Sequence, residues 1–127
     1  MTPVVVVVAA VIERDGSFLL TLRPDGTHLA GLWEFPGGKV HESETHAEAL
    51  RREIFEELDA VVRVGELVHT VTHVYLERTV ELFFYKCDLD GEAKPMMGQE
   101  MRWVAKAELS TLPFPEADLA LITTLAR

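Results

Sequence analysis

The stretch GGKVHESETHAEALRREIFEELD, residues 37–59, decides how the rest of the chain is read. Gly37 and Gly38 follow Pro36 and stop an extended piece. Thr45 and Glu48 have the spacing of a capping box, in which the hydroxyl accepts from the Glu48 amide and the carboxylate reaches back. Ala47, Leu50, Ile54 and Leu58 recur at helical intervals. The spacing predicts a helix from Thr45 to Leu58–Asp59 with that stripe buried. At about 100° per residue, Glu53, Glu56 and Glu57 fall within about a third of the helix circumference, beside the stripe. Carboxylates this close raise one another's pKa and destabilise the helix unless something positive sits among them. Arg52, four residues from both Glu48 and Glu56, can hold a carboxylate from the side. A hard divalent cation can do the same, because Mg²⁺ favours carboxylate oxygens and keeps water and substrate phosphates as its other ligands. The glycines let backbone approach closely, so a loop carbonyl could complete such a shell. The alternative is a solvated helix face laced with glutamate–arginine pairs, and the residues alone leave both open.

Working outward, Met1 to Ile12 reads as a strand rich in β-branched residues, and Asp15-Gly16 as a two-residue turn into a second strand, Phe18 to Leu22. A loop opened by Arg23-Pro24-Asp25-Gly26 runs to Leu32 and leads to a short extended piece, Trp33-Glu34-Phe35. After the helix, Val61 to Val71 and Val74 to Leu89 read as strands of a hairpin turning around Thr72 to Tyr75 or a little later. The second is apolar on both faces around Leu82-Phe83-Phe84-Tyr85, as a central strand would be. A loop from Asp90-Gly91 to Gly98, a short strand from Met101 to Val104 and a closing helix from Leu119 to Leu125 complete the order. Strand, helix, strands, helix predicts one α/β domain over 1–127, an α/β/α sandwich with a central mixed sheet.

Charge and composition narrow the function. A net charge of −9 argues against binding a nucleic acid polymer or an anionic membrane, both of which want a basic face. It leaves room for a small phosphorylated substrate bridged to carboxylates by metal. The run Val4–Ile12 is far short of the roughly 18–20 residues of a bilayer span and lacks a basic leader. With one cysteine, Cys87, no disulfide forms within the chain, and the expected location is the cytoplasm. Cys87 and Trp103 read as packing residues. His41, His46, His69 and His73 have no metal-ligand spacing.

The pattern Gly38-x5-Glu44-x7-Arg52-Glu53-Ile54-x-Glu56-Glu57 resembles the Nudix box, the signature of the Nudix hydrolases. Trp33 to Lys39 and the run Pro115-Glu116-Ala117-Asp118 extend the likeness over most of the chain, towards the MutT-type branch. The resemblance implies a Nudix-type fold and hydrolysis of a nucleoside triphosphate to monophosphate and pyrophosphate. It implies Mg²⁺, with Mn²⁺ as a substitute, held by Glu53, Glu56, Glu57 and the Gly37 carbonyl. Arg52 would orient the cluster, and Glu44 and Glu53 are candidates to activate water. Arg23, His28 and Asp118 match positions that contact the nucleotide in MutT-like enzymes. Phe35 is expected to offer a stacking face, and Arg78 to reach the same pocket from the hairpin.

Two departures from the signature stand out. Asp59 replaces a glycine favoured where the helix end turns left-handed, at an expected cost of about 1 kcal/mol or less. The loop before the penultimate strand reads Met96-Met97-Gly98-Gln99-Glu100, with Glu100 the only acidic residue to stand where relatives often carry a glutamate, so the identity of the general base stays open. Asp118 also reads simply as the N-cap of the last helix. The expected substrate is a modified nucleotide such as 8-oxo-dGTP, with CTP or a modified dCTP as the alternative. A non-catalytic nucleotide-binding module is a third reading, which loss of box glutamates would mark. The chain is expected to act as a monomer or homodimer.

Overall fold

Strand β1 (Val4–Arg14) is the spine of the molecule. Its alternate side chains enter two different cores, as the two-residue period of a strand requires. Val8, Ala10 and Ile12 pack with Leu50, Ile54 and Leu58 on one side, while Ala9 and Val11 pack with Leu121 and Ile122 on the other. From Val8 to Ile12 the strand is buried on both faces and has no polar side to present, so this part of the chain is apolar without a break, whereas Val4 at its head is exposed. The structure, a computed structural model, describes residues 3–127, so Met1 and Thr2, placed at the head of this strand by the sequence, lie outside the described residues.

The remaining elements are β2 (Ser17–Leu22), β3 (Trp33–Glu34), β4 (Gly37–Lys39), α1 (His46–Leu58), β5 (Val61–Val74), β6 (Thr79–Asp90), β7 (Met101–Ala105) and α2 (Leu119–Leu125). Two 3-10 turns, Lys106–Thr111 and Glu116–Asp118, precede α2. The strands follow the order β3-β2-β1-β6-β5, with β4 on β1 and β7 on β2. Pairing of β1 with β6 is parallel and the other pairings are antiparallel, so the sheet is mixed, as expected. Helix α1 covers one face and α2 the other. No helix among the described residues is long and apolar enough to cross a membrane.

The hairpin departs from its expected bounds. β5 continues to Val74, opposite Thr79, and the turn is Tyr75–Arg78, closed by the Tyr75 amide donating to the Arg78 carbonyl at 2.8 Å. Residues 75–78 contain no glycine, proline or asparagine to mark the turn, and the apolar Leu76 at its tip is 99% exposed. Asp15-Gly16, by contrast, turns as its residues dictate, both with positive φ (53° and 78°).

Helix α1 begins with the capping box read from sequence: Thr45 accepts from the Glu48 amide at 3.1 Å, and the Glu48 carboxylate accepts from the Thr45 amide at 2.8 Å. It ends on Asp59 in the left-handed region, φ 48° and ψ 42°, with the Asp59 amide donating to the Phe55 carbonyl. A non-glycine residue pays a steric cost there. Asp59→Gly should therefore stabilise the fold by about 1 kcal/mol or less, read as a small rise in the urea midpoint at unchanged slope.

Candidate active site

Helix α1 turns Glu53 and Glu57 inward and leaves Glu56 exposed. Ala49, Leu50, Ile54 and Leu58 are fully buried, whereas Ala47, expected in the stripe, is only half-buried. At 100° per residue, Ala49 lies on the Glu53 and Glu57 side, so the inward arc is centred closer to those carboxylates than a purely apolar reading places it. Strand β4 makes the room. A Cβ on Gly37 would strike the Val8 carbonyl oxygen of β1, and a Cβ on Gly38 would strike the Glu53 carboxylate. The two glycines thus let helix and sheet close on the acidic residues with nothing between them.

Arg52 organises these acids. Its Nε and one terminal nitrogen donate to the two oxygens of Glu44 at 2.6 and 2.9 Å, and the same terminal nitrogen donates to the Lys39 carbonyl at 3.0 Å. Its other terminal nitrogen donates to Glu53 at 2.9 Å and Glu56 at 3.4 Å. The Glu48 carboxylate, which the spacing also offered to Arg52, is taken by the cap instead. Glu44 accepts a further bond from the His41 amide, and the Arg52 and His41 bonds together hold its pKa down to about 2. Glu44 is therefore placed as the anchor of Arg52.

Beside this cluster opens a pocket of about 310 Å³, within the range of small-molecule sites. Glu57, Gly37, Gly38 and Lys39 line one part. Arg23, Glu34 and Asp118 line another, and His28, Tyr75 and Arg78 bring the early loop and the hairpin turn to it. Arg23 donates to Glu34 at 2.9 Å and to the His28 carbonyl at 2.6 Å. Asp118 is buried (4% exposed), yet its side chain makes no capping bond to α2. Asp118 stands at the N-cap position of α2, as read from the sequence, and lines the pocket without supplying a capping bond. Phe35 also lines the pocket, but its ring is packed edge-on against Phe84 and stacked on Phe114 at 6.2 Å, leaving it 4% exposed. The face it was expected to offer is spent on the core.

Glu34 lies within the Trp33 to Lys39 motif and is a pocket residue that the sequence reading does not single out. Its signal was there: a lone carboxylate between Trp33 and Phe35, paired across the strands with Thr21, two residues before Arg23. Tyr75 lines the pocket from the hairpin turn, and nothing in its neighbouring residues signals this. Glu100 is exposed and outside the pocket. Its loop serves α1 instead, with Lys94, Met96 and Gln99 donating to the carbonyls of Leu58 and Glu57.

A model of the NUDIX domain matches residues 7–124. The chain belongs to the Nudix hydrolase family. It is similar to the CTP pyrophosphohydrolase of Escherichia coli K12, at 39% identity over 91% of this chain and 87% of that protein. It is likewise similar to the 8-oxo-dGTP diphosphatase of Haemophilus influenzae, at 36% identity over 96% and 91%. A solution structure of MutT, a Nudix hydrolase from methicillin-resistant Staphylococcus aureus 252, superposes with a TM-score of 0.81 at 37% identity over 99% of this chain and 98% of that one. The chain is thus a MutT-type Nudix hydrolase, an enzyme.

Nudix hydrolases typically work with a divalent metal, and the donors of this chain fit one. Burial, then the charges of Glu53 and Glu34, push the Glu57 carboxyl up to about 8 despite a bond from the Gly37 amide. A buried acid crowded by other acids is the environment that a hard cation relieves. No three acidic or histidine side chains among the described residues already surround a common point. Glu53 and Glu56 are instead held by Arg52, so seating a cation on them requires their carboxylates to turn.

A dependence on pH follows. Asp118 is raised from 3.8 to about 7 by burial and by Glu34, and Glu57 from 4.5 to about 8. The folded state then binds protons that the unfolded state has released, so stability present below about pH 4 is lost as pH rises through 7 and 8. In chelator, the melting temperature should fall between pH 4 and 8, and Asp118→Asn should remove the part below about pH 7. Mg²⁺ should raise the melting temperature more at pH 8 than at pH 5. A melting temperature flat across this range in chelator would contradict the assignment.

Proposed function

We propose that this Nudix hydrolase is a Mg²⁺-dependent nucleoside triphosphate pyrophosphohydrolase that releases nucleoside monophosphate and pyrophosphate. One observation carries the reading. A single pocket has the Glu57 carboxylate and diglycine backbone, backed by Glu53 against Gly38, suited to metal and phosphate in one part, and the hydrogen-bonding set Arg23, Glu34 and Asp118, suited to a nucleobase, in another.

In this reading Glu53, Glu56, Glu57 and the Gly37 carbonyl hold Mg²⁺ or Mn²⁺. The bound cation lowers the pKa of water and offsets charge on the leaving pyrophosphate. Glu53, held against the Gly38 backbone, takes the proton of the attacking water, and the anhydride bond to the leaving pyrophosphate breaks. Arg52 positions Glu53 and is itself fixed by Glu44. The depressed pKa of Glu44 makes it a poor proton acceptor and a good counter-ion. Arg23, His28, Arg78 and Asp118 contact the nucleotide, with Arg23 oriented by Glu34.

For the base we propose an oxidised purine nucleotide such as 8-oxo-dGTP. CTP is the second reading, favoured by the likeness to the Escherichia coli CTP pyrophosphohydrolase. Asp118, with its pKa near 7, can donate when protonated and accept when ionised, which suits either base.

Glu53→Gln and Glu57→Gln should each lower kcat by roughly 10² to 10⁴ with no loss of melting temperature, because each removes charge and keeps volume. Turnover at the wild-type level in both variants would remove the metal and base assignments. Asp118→Ala should alter the ratio of rates on 8-oxo-dGTP, dGTP and CTP more than it alters any one rate through phosphate chemistry. A panel of normal and oxidised nucleotides, with and without Mg²⁺, reads both effects, and unchanged ratios would remove Asp118 from base selection.

A further inference from the structure

We infer that Gln99, in the loop before β7, is a positioning residue: its side chain clamps the backbone of Glu57 and so holds the Glu57 carboxylate in place for the divalent cation. The inference rests on the metal reading above and adds to it a residue outside the pocket lining.

A helix leaves its last four carbonyls without intrahelical partners, and its last turn frays unless outside groups supply donors. Glu57 stands in that turn of α1, one residue before the end at Leu58. Its carboxylate has to stay at the pocket wall although Glu53, Glu34 and Glu56 repel it. No basic side chain sits in the last turn to answer the helix dipole. The loop 93–99 supplies the donors instead. The Lys94 amide donates to the Leu58 carbonyl at 2.8 Å, and the Met96 amide to the Glu57 carbonyl at 2.9 Å. Gln99 Nε2 donates to the same Glu57 carbonyl at 3.3 Å, while its Oε1 accepts from the Met97 amide at 2.8 Å.

Among the described residues, Gln99 is the one side chain of this loop bonded to α1. Met96 and Met97 are 55% and 69% exposed, so their side chains do not pin the loop. Ala93 and Met101 pack against the core under α1 at either end, which leaves the middle held by hydrogen bonds. Gly98, with φ 73°, turns the chain so that the Gln99 side chain folds back to the Met97 amide. An amide side chain offers an acceptor and a donor, and here one serves the loop and the other the helix. Glu57 is also held at its far end, where the Gly37 amide of β4 donates to the carboxylate. The residue is thus fixed at carboxylate and carbonyl, between the diglycine strand and this loop. Groups that hold a metal ligand from behind typically change metal affinity by roughly ten- to a hundredfold when removed.

The test titrates Mn²⁺ alone, without nucleotide, into wild type, Gln99→Leu and Met97→Ala, and follows the free ion by electron paramagnetic resonance. Gln99→Leu keeps most of the volume and loses both bonds, and should weaken Mn²⁺ binding about tenfold. Met97→Ala changes an exposed side chain of the same loop and should bind as wild type does. In hydrolysis, Gln99→Leu should need about tenfold more Mg²⁺ for half-maximal rate, with kcat within about twofold of wild type once Mg²⁺ saturates. A merely structural role would lower kcat at every Mg²⁺ concentration. The wild-type chain gives a second readout by amide hydrogen exchange, because coupling between two sites is reciprocal. Mg²⁺ should slow exchange at Lys94 and Met96 more than at Lys106, whose amide bonds the Gly16 carbonyl away from the pocket. Unweakened Mn²⁺ binding in Gln99→Leu would overturn the inference, as would equal slowing of all three amides. Weakening of the same size in Met97→Ala would show a general disturbance of the loop and overturn it too. If Gln99→Leu does not fold, the wild-type exchange decides. Wild type that binds neither Mn²⁺ nor Mg²⁺ would overturn the metal reading itself.

Discussion

The guanidinium of Arg52 reconciles charges that would otherwise drive helix α1 away from the sheet. Its planar fork meets Glu44 through two bonds, reaches Glu53 and Glu56 with its other terminal nitrogen, and still donates to the Lys39 carbonyl. A lysine has one point of charge and could not serve these directions at once. The bond to Lys39 matters most for architecture, because it ties the helix to the diglycine strand that brings backbone against Glu53. Helix, glycine strand and carboxylates are in register because one side chain spans all three.

That arrangement depends in turn on β1 being buried on both faces from Val8 to Ile12. Its odd and even residues feed separate cores, one under α1 and one under α2. Glu57 of α1 reaches the pocket beside β4, while Asp118 reaches it from the turn before α2. The pocket therefore lies where elements from both covering layers meet the sheet. Glu34 stands between these contributions, ion-paired with Arg23 and close enough to both Glu57 and Asp118 to raise their pKa values.

Local signals were legible in the sequence and long-range ones were not. The capping box of Thr45 and Glu48, the left-handed end at Asp59 and the Asp15-Gly16 turn are each decided by a few neighbouring residues, and the structure agrees with each. The β-branched run of β1 and the doubly apolar β6 announced a covered sheet for the same reason. Ala47 misled because periodicity ranks side chains by hydrophobicity, and the arc that faces inward includes Glu53 and Glu57. Phe35 misled because its neighbours in the chain do not reveal Phe84 and Phe114, which consume its ring. Asp118 satisfied the pattern of a cap while its carboxyl pointed elsewhere, and a tyrosine in a turn without glycine or proline gave no hint that it lined a site. The spacing of the acidic helix carried the family, whereas the pocket wall depends on which loops tertiary structure brings together.

The parallel pairing of β1 with β6 has a kinetic meaning. Val4 lies opposite Thr79 and Ile12 opposite Cys87, so more than half the chain must be gathered before this ladder can close. Loop-closure entropy opposes such distant contacts until others have formed, whereas the β5–β6 hairpin and helix α1 are local and can form early. The pocket draws its floor from β1 and β6 together, among them Val7, Ala9, Leu82 and Phe84. Recovery of ligand binding during refolding therefore reports the slowest, most global event in the chain rather than the appearance of its helix.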